Sequence, residues 1–201
     1  MKSSLVPFDI IVYGGPGSGK STQAKFLVKK LKAHHMNMGG LLREVIAKRR
    51  SGYRKIKPIV ENGKLVPAGF SSALVGKFIA QTPSSGRIVF DGFPRSPRQI
   101  TYLNRFLKKA KRDAVMVFID LPVKVAKDRL VKRATLENRS DDAKPKVINE
   151  RIEVFHNQAK KVTDYYKKHH RLIAVNGDQT IDQVKKDISD LIKKYESSHQ
   201  N

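Results

Sequence analysis

The amino-acid sequence predicts an α/β fold, a three-layer sandwich with a central, mostly five-stranded parallel sheet and helices on both faces. Three observations predict it. Short apolar runs recur along the 201-residue chain, helical patterns separate them, and a glycine-rich turn follows the first apolar run. Strands that alternate with helices in this way form parallel sheets whose two faces are both covered.

Five apolar stretches are the predicted strands of this sheet. Four are strong, because aliphatic and aromatic residues are concentrated in them, and one is weak. The strong stretches are residues 8–13, 87–92, 114–122 and 171–178, and the weak stretch is residues 35–38. Ligands bind such sheets at the carboxyl ends of the strands, so the residues that follow each strand are the first candidates for a site.

Helical patterns, in which apolar residues recur every three or four positions, fill the segments between the strands. They run from the end of the glycine-rich turn to about residue 31, over residues 39–50, from about residue 59, and over residues 67–80, 97–111, 122–134, 143–169 and 180–195. Residues 51–58 are predicted as a loop, because they are polar and basic and are interrupted by Gly52 and Pro58.

The chain is strongly basic. It has 41 Lys and Arg against 18 Asp and Glu, which gives a formal net charge of +23. Such a charge attracts anionic substrates and allows binding to nucleic acid. Basic doublets such as Lys108-Lys109 are dispersed along the chain rather than gathered in one segment. This favours solvated helix faces over a dedicated polyanion site, and leaves non-specific nucleic-acid binding open.

Two absences in the sequence exclude several classes of protein. The chain has no cysteine, which excludes disulfides and zinc sites made of thiolates. Its apolar runs all fall short of the roughly 20 residues that cross a bilayer, and residues 1–10 lack the features of a secretory signal. We therefore expect a cytoplasmic protein without membrane contact.

The glycine-rich turn reads GGPGSGKSTQ, residues 14–23, and fits the pattern G-x-x-x-x-G-K-S. In such a loop, backbone amides and the start of the next helix surround phosphate groups. Lys20 would reach the β- and γ-phosphates, and the Ser21 hydroxyl would bind magnesium. The pattern narrows the fold class to a P-loop NTPase sandwich, but it does not separate a kinase from a GTPase or a motor.

A second motif, FDGFPRSPRQ at residues 90–99, follows another predicted strand. Asp91 closes that strand, where a carboxylate can orient magnesium through water. Arg95 follows Pro94, which stiffens the turn that carries the guanidinium. Because both motifs follow parallel strands, they are expected to meet at one edge of the sheet.

Several motifs together resemble those of adenylate kinases and related nucleoside monophosphate kinases. They are GGPGSGKST, GGLLREVI, NGKLVP, FDGFPRSPRQ, AKDRLVKR and NRSDD…NERI, and they occur in the order seen in that family, from residue 10 to about residue 184. The resemblance is to the short-lid form, in which one polypeptide holds a triphosphate donor and a monophosphate acceptor.

This resemblance implies a reaction and a division of the chain. The reaction is ATP + AMP = 2 ADP, reversible and dependent on Mg²⁺, with ATP, AMP and ADP as partners and a monomeric enzyme. The implied division is a core (residues 1–36, 73–134 and 146–196), an acceptor-binding insertion (residues 37–72) and a short lid (residues 135–145). Long-lid relatives can carry a four-cysteine zinc site in the lid, and no zinc is expected here.

The resemblance also implies roles for individual residues. The implied ATP-binding residues are Gly15, Pro16, Gly17, Ser18, Gly19, Lys20, Ser21, Thr22, Arg129, Arg133 and Gln179. The implied AMP-binding residues are Met38, Arg43, Lys64, Leu65, Val66, Gly92, Arg95, Gln99, Arg139 and Arg151. The implied catalytic residues are Lys20, Arg95, Arg133, Arg139 and Arg151. Ser21 and Asp91 would hold magnesium, largely through water.

The sequence departs from the family pattern at three places. Met38-Gly39-Gly40 stands where threonine-glycine-aspartate is usual, residues 142–151 are one residue longer than the common spacing, and Gln179 stands where lysine is frequent. UMP–CMP kinases typically have asparagine at the position of Gln99 and alanine at that of Met38, so Gln99 favours AMP. The sequence is also compatible with a basic RNA- or ribosome-associated NTPase and with a nucleotide-binding pseudo-enzyme.

Overall fold

The computed structural model describes residues 8–136 and 145–198, with the backbone alone for residues 133–136. Five parallel strands form one sheet in the order β2-β3-β1-β4-β5. The strands are β1 (Asp9–Gly14), β2 (His34–Asn37), β3 (Ile88–Asp91), β4 (Ala114–Asp120) and β5 (Leu172–Asn176). The predicted α/β class and all five predicted strands, including the weak one, are confirmed.

The helices that connect and cover the strands are α1 (Lys20–Leu31), α2 (Met38–Ala47), α3 (Tyr53–Glu61), α4 (Ala68–Gln81), α5 (Pro97–Lys109), α6 (Val123–Leu136), α7 (Pro145–Lys168) and α8 (Ile181–Ser198). In the described part of the chain, none of these helices is long and apolar enough to cross a membrane.

Residues of β1 alternate between two apolar layers, because successive strand residues point to opposite faces of a sheet. Ile11 and Tyr13 pack with Phe90 in the layer that includes side chains of α2, α4, α5 and α7. Ile10 and Val12 pack in the opposite layer, against side chains of α1 and α8. Both faces of the sheet are thus buried, which explains why β1 is a continuous apolar run.

The prediction of a loop at residues 51–58 is wrong, because helix α3 occupies most of that segment and contains Pro58. Proline at the sixth helical position removes one backbone hydrogen bond. This loss is offset by the packing of Ile56, which is 1% exposed, and of the partly buried Ile59 and Val60. These three apolar residues are spaced as on one face of a helix. The polar residues between them made this pattern hard to recognise in the sequence.

A buried ion pair joins the start of β1 to the end of the α5–β4 connection. Arg112 donates from Nε to Asp9 Oδ2 at 2.8 Å and from Nη2 to Asp9 Oδ1 at 2.7 Å. The same guanidinium donates to the carbonyl oxygens of Gly86 and Pro83, and Asp9 accepts from the backbone N–H of Ile88. Arg112 therefore joins the start of β1, the segment before β3 and the segment before β4. These contacts lie at the amino ends of the strands, opposite the end that carries the nucleotide loop.

Replacing Arg112 with methionine is expected to lower the free energy of unfolding by about 3–5 kcal/mol, since it leaves a buried carboxylate without its partner. Burial already raises the pKa of Asp9, and the Arg112 hydrogen bond opposes that rise. Urea denaturation followed by circular dichroism measures the effect. Lys111→Met, at an exposed neighbouring position, is the matched control, and equal stability of the two variants would contradict a structural role for the pair.

Candidate active site

The loop between β1 and α1 is shaped for an anion. Gly17 and Gly19 have φ angles of 78° and 81°, in the left-handed region that glycine adopts without strain. A Cβ atom on Gly17 would lie 2.6 Å from the carbonyl oxygen of Ala126, so α6 also requires glycine there. Lys20 begins α1 and donates from Nζ to the Gly15 carbonyl at 3.3 Å, which folds its ammonium group back over the loop.

The side chains of the implied ATP-binding loop differ in exposure. Ser18 is buried, whereas Gly19, Ser21 and Thr22 are exposed, and Gly15, Pro16, Gly17 and Lys20 are half-buried. A Cβ atom on Gly15 would lie 3.2 Å from the ring of Phe155 in α7. Phe155 was not identified from the sequence as part of the site, because only the fold brings α7 against the loop.

Asp91 lies beside this loop, because β1 and β3 pair in parallel with Val12 opposite Asp91. The Ser21 hydroxyl donates to Asp91 Oδ1 at 3.2 Å. Burial would raise the pKa of Asp91, but the neighbouring His35 ring, the charge of Lys20 and the Ser21 hydrogen bond hold that pKa below its usual value. Asp91 is therefore an anionic carboxylate next to the phosphate loop.

Two residues of β2 also reach Asp91, and sequence reasoning missed both. Asn37 donates from Nδ2 to Asp91 Oδ2 at 3.2 Å, and His35 Nε2 lies 3.7 Å from the same oxygen. Both belong to the weakest predicted strand. An asparagine immediately before a helix is a recognisable N-cap, which could have marked Asn37, but its contact with Asp91 depends on the pairing of β2 with β3.

The Ser21–Asp91 pair fits a magnesium ion bound largely through water. A hydroxyl and an anionic carboxylate, 3.2 Å apart, are oxygen ligands of the kind that hard divalent cations prefer. Magnesium keeps several of its waters in nucleotide sites and also binds the substrate phosphates, so a pair of protein oxygens beside the phosphate loop fits such an ion.

Arg95 is held by its own turn. Its Nε donates to the Gly92 carbonyl at 2.9 Å, and its Nη2 also lies close to Gly92, where a Cβ atom would be 3.0 Å away. Solvent reaches the Arg95 side chain, but partial removal from water still lowers its pKa. The charge of Asp91 raises that pKa, and the charge of Arg151 lowers it. Asp91 and Arg151 are thus its electrostatic neighbours.

Gln99 is more enclosed than its expected contact with a base suggests. It is 3% exposed, its Oε1 accepts from the backbone N–H of Arg95 at 2.6 Å, and its Nε2 donates to Ser71 Oγ at 3.0 Å. One amide hydrogen and one lone pair on the carbonyl remain. The structure therefore shows that Gln99 supports the Arg95 turn, while base recognition stays a prediction.

The other residues implied for AMP lie on α2, on the α3–α4 connection and on α7. Met38 is buried in the apolar layer. The Arg43 guanidinium approaches Gly39, where a Cβ atom would lie 3.3 Å from its Nη1. A Cβ atom on Gly63 would lie 2.9 Å from Arg151 Cγ, so α7 packs beside the segment that contains residues 64–66. Lys64 is exposed, Leu65 is half-buried and Val66 is buried.

Arg129 contacts the segment that contains Gln179. Arg129 donates from Nη1 to the Gly177 carbonyl at 3.0 Å and from Nη2 to the Gln179 carbonyl at 3.4 Å. Gln179 Nε2 donates to Asp187 Oδ2 at 2.8 Å. Arg133 lies in α6, with only its backbone described, and Arg139 lies outside the described residues, as do residues 137–144 of the predicted lid.

Comparison with known proteins gives consistent matches over most of the chain. A family model described as adenylate kinase matches residues 12–171. An adenylate kinase of Bacteroides thetaiotaomicron is 30% identical over 187 residues, which cover 92% of this chain and 98% of that protein. An adenylate kinase of Thermus thermophilus is 33% identical over 176 residues, with 87% and 91% covered. Adenylate kinase 1 of Nostoc sp. is 31% identical over 175 residues, with 87% and 93% covered.

The match to the family model includes the phosphate loop, Asp91 and the Arg95 turn. Together the matches confirm the resemblance that the ordered motifs indicate. The five-stranded parallel sheet, with its nucleotide loop after the first strand, agrees with the same assignment. The chain belongs to the adenylate kinase family of nucleoside monophosphate kinases.

Proposed function

We propose that this chain is a magnesium-dependent adenylate kinase that converts ATP and AMP into two ADP, reversibly. One observation carries the proposal: Asp91 of the second motif accepts a hydrogen bond from Ser21 of the phosphate loop at 3.2 Å, and the Arg95 guanidinium lies within electrostatic range of the same carboxylate. Both motifs are thus near one carboxylate, which supports a donor site and an acceptor site close enough for transfer between two bound nucleotides.

Phosphoryl transfer requires positioning and charge neutralisation more than covalent chemistry by the protein. An oxygen of the AMP α-phosphate forms a bond to the γ-phosphorus of ATP, while the bond from that phosphorus to the bridging oxygen breaks and ADP leaves. Lys20 and the loop amides would neutralise the donor oxygens. Arg43 and Arg95 would grip the acceptor phosphate, because guanidinium groups bind its oxygens in pairs.

Arg133, Arg139 and Arg151 complete the proposed catalytic set. Arg151 is close enough to Arg95 for its charge to lower the pKa of Arg95. This proximity supports the inclusion of Arg151 in the set. Magnesium, when bound with ATP, would neutralise charge on the β- and γ-phosphate oxygens, and Ser21 and Asp91 would hold it.

Residues 37–72 would form the acceptor-binding insertion and residues 135–145 a short lid that excludes competing water. We further propose a monomeric, cytoplasmic enzyme.

The preference for AMP rests on Gln99. Met38 is buried and has no hydrogen-bonding group on its side chain, so Gln99 and the backbone of residues 64–66 would read the base. The test is a coupled assay of ADP formation from Mg-ATP with AMP, UMP, CMP and GMP as parallel acceptors. We expect strong turnover with AMP. A preference for UMP or CMP would indicate a pyrimidine monophosphate kinase instead, and no transfer to any acceptor would overturn the proposal.

A basic helix face supports non-specific binding of polyanions as a secondary property. Between Lys64 and Arg112 the sequence has ten Lys and Arg and one acid, Asp91, which is buried. The solvent side of α5 presents Arg98, Tyr102, Arg105 and Lys109, of which Tyr102 is partly exposed. They are spaced i, i+4, i+7 and i+11, which places them on one face of the helix, about 16 Å long.

Replacing three cations of this α5 face, in the variant Arg98→Gln/Arg105→Gln/Lys109→Gln, is expected to weaken binding of single-stranded RNA. The slope of log K against log salt should fall by about 2, because each lost phosphate contact removes about 0.7. Fluorescence anisotropy with an oligonucleotide measures it. The matched control, Lys186→Gln/Lys193→Gln/Lys194→Gln, removes the same charge from exposed positions of α8, and an equal effect would show that net charge alone governs binding.

A further inference from the structure

Asn37 connects two parts of the site through the two ends of its side-chain amide. Its Oδ1 accepts from the backbone N–H of Gly40 at 2.7 Å, which caps the start of α2. Its Nδ2 donates to Asp91 Oδ2 at 3.2 Å. A single side chain thus links the helix that carries Arg43 to the carboxylate beside the phosphate loop.

Pairing of the strands makes this link direct. Asn37 is the Cα partner of Asp91 in the β2–β3 ladder, so the two residues lie side by side where both strands end. The Asn37 amide holds Oδ2 of the carboxylate, while the Ser21 hydroxyl holds Oδ1. Two donors on opposite oxygens fix the rotation of the carboxylate about its Cβ–Cγ bond, and so fix which oxygen faces the loop.

A side chain at position 40 would begin in tight contact with the Asn37 amide. A Cβ atom on Gly40 would lie 3.3 Å from Asn37 Oδ1 and 3.5 Å from Asn37 Cγ. A side chain at position 40 therefore requires the Asn37 amide to shift by a few tenths of an ångström.

We propose that Asn37 is a positioning residue that orients Asp91 toward magnesium-bound nucleotide, and that it does so in place of a carboxylate at position 40. The proposal rests on the proposed function only in taking ATP with magnesium as the ligand of the loop. Asn37 does not touch the nucleotide: it acts through Asp91, and its amide supplies a hydrogen bond where a carboxylate would supply charge.

Asn37→Ser separates this role from helix capping. Serine caps a helix about as well as asparagine, but its hydroxyl is too short to cap α2 and reach Asp91 together. Isothermal titration with ATP, without acceptor, gives Kd in the presence and absence of magnesium. We expect the enhancement of ATP affinity by magnesium to fall about 10-fold, as for loss of one hydrogen bond to a charged group. ATP affinity without magnesium should be unchanged, and so should the melting temperature.

A double-mutant cycle with Gly40→Asp supplies the sharper result. In the native background the new side chain crowds Asn37 Oδ1, so the magnesium enhancement should fall. In the Asn37→Ser background the space is vacated, so the same substitution should raise the enhancement toward the native value. A reversal of sign supports the proposal. It is overturned by an unchanged enhancement in Asn37→Ser, or by the same effect of Gly40→Asp in both backgrounds.

The binding measurement also keeps this inference separate from the proposed function. It needs neither AMP nor turnover, so a failure to transfer phosphoryl groups to AMP would overturn the proposed reaction and leave the result for Asn37 standing. Conversely, full AMP kinase activity with an unaltered magnesium enhancement in Asn37→Ser would overturn the inference alone.

Discussion

The Lys20→Met variant is expected to form ADP from ATP and AMP about 10²–10³-fold more slowly than the native chain, at saturating nucleotide. Lys20 lies at the start of α1, and its ammonium group folds over the loop at 3.3 Å from the Gly15 carbonyl. Methionine keeps the length and the apolar stem of the side chain but removes the charge that would neutralise the donor phosphates. The measurement is kcat in a coupled assay.

Lys25→Met is the matched control, because Lys25 lies on the same helix with its side chain exposed. It should keep native kcat, and both variants should keep the native circular dichroism spectrum and melting temperature. Near-native turnover in Lys20→Met would remove the phosphate loop from the mechanism and with it the assignment of the donor site.

The Arg95→Ala variant is expected to lose about 10³-fold in kcat/KM for AMP, which corresponds to two charge-assisted hydrogen bonds. The Nε of Arg95 is occupied by the Gly92 carbonyl, so its two terminal nitrogens are available to the acceptor phosphate. Arg95→Lys should restore only part of the loss, because an ammonium group cannot bind two oxygens as a planar fork.

A selective effect on the acceptor identifies this role. KM for ATP should change little in Arg95→Ala, and Arg98→Ala, at an exposed position three residues later, should keep native AMP kinetics. If Arg95→Ala raised KM for ATP and AMP alike, the side chain would serve the architecture of the cleft rather than the acceptor. The electrostatic interaction of Arg95 with Asp91 is the contact through which such a general effect would arise.

Strong local signals allowed the sheet and the donor loop to be predicted from sequence. The apolar runs had to be buried on both sides, and the glycines at positions 17 and 19 adopt the left-handed conformation that a phosphate loop requires. Both signals can be recognised from residues that are adjacent in the sequence. Even the weak strand β2 was found, because it lies between two helical patterns.

Contacts between distant segments were not predictable in the same way. The Asn37–Asp91 and Gln99–Ser71 hydrogen bonds join residues far apart in the chain, and no local pattern specifies them. Helix α3 was missed for a different reason: Pro58 is a strong breaker by local rules, and only the burial of Ile56 in the folded chain overrides it.

The most direct test of the account follows the γ-phosphoryl group itself. The protein is incubated with magnesium and ATP labelled in its γ-phosphate, with and without unlabelled AMP, and the products are separated and counted. The proposed AMP kinase activity predicts that the label passes into ADP, that two ADP form for each ATP consumed, and that both depend on AMP. Label released as inorganic phosphate at a rate independent of AMP would contradict it and would identify a nucleotide hydrolase instead.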